Sequence, residues 1–150
     1  MQLSIGVGNS SMIDGYEAGL EAAGTVKEQL GDESPDFVFV FSSIGYEQQD
    51  ILDAITEKLG DIPLSGATFE GIIGRDFVDE SMYAVQIVGL KSNSIQFYNI
   101  QSANAVEHPL LAGEGIGRQV AEVALDRNRV LFLFPDFKIN FSSLFEGIEK

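Results

Sequence analysis

The chain predicts an α/β fold: a mixed sheet with a buried core strand, an antiparallel meander and flanking helices, in the order β-α-β-α-β-β-β-α-β-α. Three observations carry that prediction. Apolar runs of strand length alternate with segments of helical period. Glycine and proline stand at the boundaries between them. No linker of biased composition divides the 150 residues, so a single domain over 1–150 is expected, long enough to bury about two-thirds of its unfolded surface.

"LSIGVGN", Leu3 to Asn9, reads as the first strand. Ser10 or Ser11 then offers an N-cap, with Asp14 three residues beyond Ser11. The helix that follows runs to about Leu30, with Tyr16, Leu20, Ala23 and Leu30 at helical spacing and Gly31 as its stop. Glycines inside a helix cost about 1 kcal/mol each against alanine, so this helix is expected to lie very close to its neighbour. "DFVFVFSS", Asp36 to Ser43, is apolar at five consecutive positions, as a central strand covered on both faces would be. A second helix covers about Glu47 to Leu59, with Ile51, Leu52, Ile55 and Leu59 on one face and Gly60 ending it.

Pro63 opens the next strand, "PLSGATFEGIIG" to Gly74, and "MYAVQIVGL" (Met82 to Leu90) and "IQFYNIQ" (Ile95 to Gln101) follow after polar turns. Links this short predict the antiparallel meander. A loop holding His108-Pro109 leads to a third helix, about Gly115 to Leu125, and "VLFLF" (Val130 to Phe134) is the next strand. At an offset of 93, Phe37 to Glu57 falls on Val130 to Lys150, with Phe39 on Phe132, Phe41 on Phe134 and Ile55 on Ile148. This pattern predicts a partial internal duplication, and the domain is expected to lack its C-terminal portion because nothing follows the second copy, which ends at Lys150.

Composition excludes several functions. Without Cys there is no thiolate metal site, disulfide or cysteine nucleophile, and a single His makes no zinc cluster, so no metal and no cofactor are expected. No segment reaches the roughly 18 apolar residues of a membrane helix, and the expected location is the cytoplasm. A formal net charge of −14, with 13 of the 23 acidic groups in the first half, argues against nucleic acid and anionic lipid as partners. "GVGNSS" has Ser11 where a dinucleotide loop needs its third glycine, and "GEGIG" lacks the lysine of a phosphate loop and reads as a helix entrance. No G-x-S-x-G elbow is present, so an enzyme built on a serine and an acid is the lesser alternative.

What remains is a set of small polar groups at strand ends, where open α/β sheets hold ligands. Asn9 and Ser10, Ser42 and Ser43, and Thr68 and Glu70 occupy such positions. Helix N-termini and these hydroxyls would hold a carboxylate and Glu70 an ammonium, which together make an amino-acid cradle. The same serines also suit capping, Tyr46 suits a core, and Glu70 suits an exposed strand face.

The "FVFVFSSIGYEQQDILDAI" strand and helix, the "LSGATFEGIIG" strand and the "VLFLFPDFKINFSSLFEGI" segment together resemble the N-terminal domain of the FIST family. The resemblance implies a non-enzymatic sensory module that binds a small molecule, with amino acids proposed, and feeds a signalling output domain or protein. Ser42, Ser43 and Tyr46 fall on its small polar residue and aromatic after the core strand, and Gly66, Thr68 and Gly71 on its glycine pattern. The chain departs from it at Ile72, where the family has an acidic residue, and at Phe69, where a small one is usual. The alternative is a protein-interaction or assembly module without a ligand. An unfinished sheet edge would also be open to pairing with a second copy.

Overall fold

The computed structural model describes residues 2–74, 76–123 and 129–150. Two compact units divide the chain, residues 1–97 and 98–150. The first is a two-layer α/β unit. Its elements are β1 (Leu3–Ser10), α1 (Gly15–Gln29), β2 (Phe37–Ser43), α2 (Gln48–Leu59), β3 (Leu64–Phe69), β4 (Ile72–Ile73), β5 (Val78–Asp79) and β6 (Val85–Ser92).

The four-stranded sheet has the order β1-β6-β2-β3. β2 pairs with β6 antiparallel and with β3 in parallel, so the strand with the most continuous apolar run is interior, as its sequence predicts. Val38 is fully buried among α1, α2, Val85 and Ile87, and Phe37, Phe39 and Phe41 form a row of ring contacts along the other parity of the strand. Covering both faces completely holds only at the ends of β2, since Phe39, Val40 and Phe41 are half-buried.

The meander is not formed. β6 inserts between β1 and β2 rather than pairing with β3, and β4 and β5 make a separate two-stranded hairpin. Period-2 alternation marks Val85 and Ile87 as buried strand residues but carries no information about the partner. Residues 95–101 form no strand: β6 ends at Ser92, whose hydroxyl accepts from the Ser94 and Ile95 N–H groups and turns the chain.

α1 is capped by Asp14, whose carboxylate accepts from the Glu17 N–H at 3.0 Å, and not by Ser10 or Ser11. β1 extends through Ser10, and the aspartate stands where the chain turns into the helix. The buried face of α1 is made of Gly15, Ala18, Gly19, Ala22, Ala23 and Val26, while Tyr16 turns outward and donates to Glu57. Small residues win this face because β1 and α2 lie so close. A Cβ on Gly8 would stand 1.9 Å from the Ala22 carbonyl oxygen, and one on Gly19 would stand 2.7 Å from Ala54 Cβ. α2 matches its sequence pattern, burying Ile51, Ala54, Ile55 and Leu59 and ending at Gly60 with φ 100°. Each large aliphatic side chain so buried contributes about 1.5–3 kcal/mol.

The second unit is a helical pair, α3 (Pro109–Val123) and α4 (Phe141–Ile148). Pro109 opens α3, since its fixed φ and missing N–H suit a first helical position, so the helix starts six residues before Gly115. The predicted end of this helix at Leu125 lies outside the described residues. Gly113 and Gly117 are inside α3 and face α4 instead of forming a helix entrance. A Cβ on either would approach the Leu144 or Ile148 carbonyl oxygen to 2.2 and 2.6 Å. Ala112, Ile139 and Leu144 form the core of this pair. α4 starts at Phe141, where the offset of 93 places Gln48 of α2, but residues 130–134 form no strand.

Candidate functional site

The carboxyl ends of β2 and β3 lie side by side, because the pair is parallel and joined through α2. The chain beyond β3 then turns at Gly71 into the β4–β5 hairpin, which Gly74 closes by donating its N–H to the Phe77 carbonyl at 2.6 Å. Between strand ends and hairpin is a cleft of about 250 Å³ lined by Phe41, Phe69, Gly71, Ile72, Ile73 and Gln86. The Phe41 and Phe69 rings meet edge to face, with centroids 5.6 Å apart and planes at 71°. Gln86, only 9% exposed, donates from Nε2 to Asn9 Oδ1 at 2.8 Å, so its amide is held across the sheet.

The nine residues singled out in the sequence separate around these strand ends. Gly71 lines the cleft and Asn9 holds its amide. Ser43 shares the strand parity of Phe41 and is paired in register with Phe69; its hydroxyl is buried and has no hydrogen-bond partner. The others serve the frame. Ser10 donates to Glu21 at 2.5 Å and accepts from the Met12 N–H, fixing the turn after β1. Ser42 donates to Gln48 Oε1 at 2.6 Å, and Gln48 donates to the Tyr46 carbonyl, fixing the entry to α2. Gly66 has no side chain because a Cβ there would stand 1.7 Å from the Val40 carbonyl oxygen. Thr68 and Glu70 are exposed, and Thr68 pairs in register with Ser42, on the opposite parity from Phe69.

Tyr46 is a core residue, 6% exposed, that donates to the Met12 carbonyl at 2.7 Å and meets Tyr83 edge to face. Burial, with the negative charge of Asp79 beside it, pushes its hydroxyl up to about 12. Asp79 is held below the usual carboxylate range by the hydrogen bonds it accepts from Ser81. His108 is in the second unit at the start of α3, its N–H on the Asn104 carbonyl and its carbonyl accepting from Ala112.

Sequence reasoning passed over Gln86 and the hairpin. The signal for Gln86 was a polar residue set in the middle of the apolar "AVQIVGL" run, a position that needs a hydrogen-bond partner once the strand is buried. Among the described residues no group of three or more His, Cys, Asp or Glu is placed to hold a metal ion, and no helix is long and apolar enough to cross a membrane.

A family model described as the FIST N domain matches residues 36–150, which takes in β2, β3, the hairpin and β6 and begins after α1. Comparison with curated protein sequences gives no match.

Proposed function

The chain belongs to the FIST family, a family of sensory domains in signal transduction, and on that premise we propose that its ligand is a small molecule bound at the cleft between Phe41, Phe69 and Gln86. The observation that carries this reading is position. The cleft is beside the carboxyl ends of the parallel β2–β3 pair, on the sheet face turned away from α1 and α2. It also combines aromatic walls with one oriented amide, the usual composition of a small-molecule site.

In this reading Asn9, Ser43 and Gly71 serve the ligand. Ser10, Ser42, Tyr46 and Gly66 hold the strand ends in place, Glu70 flanks the opening, and Thr68 stands on the opposite face of β3. The domain works by binding and without catalysis. Its setting is the cytoplasm, and its partner is a signalling output domain or protein rather than nucleic acid or a membrane. A ligand changes the output only through its differential affinity for two arrangements of the domain, and the β4–β5 hairpin is the segment beside the cleft best able to report occupancy.

Thermal melting against a library of free amino acids and other small metabolites tests the reading. Filling the site to about 100 times its dissociation constant adds about 2.7 kcal/mol, a shift of several degrees. The shift is expected to disappear in Phe69→Ala, a half-exposed position whose truncation leaves the core intact. Ligands that shift the melting of Phe69→Ala as much as that of the parent chain would place binding elsewhere.

A further inference from the structure

We infer that the cleft takes an uncharged planar ring compound, stacked against Phe41 and Phe69 and hydrogen-bonded along one edge to the Gln86 amide. This rests on the cleft reading above and names the chemistry of its ligand.

The walls decide the shape. Two rings at 71° form a corner, and a third ring fills it by lying flat on one and meeting the other edge-on, the two arrangements aromatic pairs prefer. The volume decides the size. The cleft, about 250 Å³ and open to solvent on one side, has room to seat one ring or two fused ones.

The amide decides the edge. Gln86 Nε2 is committed to Asn9, and the absence of a side chain on Gly74 leaves room for it, since a Cβ there would stand 2.8 Å from that nitrogen. With one N–H held by Asn9, this amide has its carbonyl oxygen and its second N–H left to offer a ligand. A neutral carboxamide or lactam edge, with a donor next to an acceptor, is its complement.

Charge decides against the amino acid. No charged side chain is among the cleft's described lining residues, so an ionised group there would find no lining charge to pair with. Two of the hydroxyls that an amino-acid carboxylate would need are donating elsewhere, Ser10 to Glu21 and Ser42 to Gln48. A net charge of −14 further disfavours anions.

Three probes of one size separate the possibilities: benzamide, benzoate and benzylamine, titrated into the isotope-labelled full chain and followed by amide NMR. Benzamide is expected to move the Phe69, Ile72, Ile73 and Gln86 resonances and to bind at least tenfold tighter than either charged probe. Phe69→Ala is expected to weaken it at least fivefold, and Gln86→Leu to bring it down to the affinity of toluene. Benzoate or benzylamine moving the same resonances at equal or higher affinity overturns the inference and leaves the cleft a ligand site. Silence from all three also overturns it, and the cleft reading falls with it only if the metabolite melting screen is silent too.

Discussion

Gly66→Ala separates the frame of the site from its ligand contacts. Gly66 belongs to a glycine pattern that suggests ligand approach, yet in the sheet its missing side chain accommodates the neighbouring strand. An added Cβ would meet the Val40 carbonyl oxygen at 1.7 Å and Val40 Cγ1 at 3.0 Å. Ordinary carbon contacts lie near 3.5–4.0 Å, and the nearest obstacle is backbone, so relief requires β2 and β3 to separate. Overpacking of this kind costs about 1–3 kcal/mol, and a backbone clash this deep belongs at the upper end. At about 2–4 °C per kcal/mol for a chain of this length, the melting temperature should fall by about 6–12 °C. Gly115→Ala is the matched control. Gly115 is inside α3 with nothing within 4 Å of an added Cβ, so the same substitution should stabilise by about 0.5–1 kcal/mol. Differential scanning calorimetry of both variants reads the difference. A Gly66→Ala chain that melts with the parent would refute the close β2–β3 approach and return Gly66 to the ligand.

Other perturbations have equally definite outcomes. Tyr46 is raised in the folded chain to about 12 from an ordinary value of 10, so its contribution is complete below pH 10 and is lost as pH climbs toward 12; Tyr46→Phe should flatten alkaline unfolding in that window, measured by denaturant melts at stepped pH. Ser43→Ala removes a buried hydroxyl with no partner and should stabilise the free chain, by up to about 1–3 kcal/mol, while weakening any ligand that uses the hydroxyl. Gln29 donates to the Val7 carbonyl and accepts from the Val7 N–H at 3.0 and 2.9 Å, covering the outer edge of β1 as a paired strand would. Gln29→Ala should therefore promote concentration-dependent self-association in sedimentation velocity, and a variant that stays as monodisperse as the parent would show that the clamp is not what protects this edge.

The parts of the fold legible in the sequence were those set by local chemistry. The five-residue apolar run made β2 interior, Gly60 ended α2 where its φ of 100° requires glycine, and the glycines of α1 announced a close neighbour that Ala54 and Tyr46 supply. Strand partners were not legible, because alternation in "MYAVQIVGL" fixes which side chains are buried and leaves open whether β1, β2 or β3 lies alongside. Residues 130–134 show the limit of apolar composition: they form no strand, and Val130, Leu131 and Phe132 are exposed. At the site, the polar residues near strand ends were legible as a group. Their division was not, since whether Ser10 or Ser42 is spent on a neighbour depends on Glu21 and Gln48, residues that the sequence presents only as parts of helices. Gln86 was visible as a polar break in an apolar strand, and only the cross-strand bond to Asn9 turns that break into an oriented amide.

An amide NMR titration of the labelled chain with the small metabolites that raise its melting temperature locates the bound ligand. The largest shifts are expected to converge on Phe69, Gly71, Ile72, Ile73 and Gln86. Shifts centred instead on Ser10, Ser42 and the first turns of α1 and α2 would contradict this and move the ligand to the helix side of the sheet.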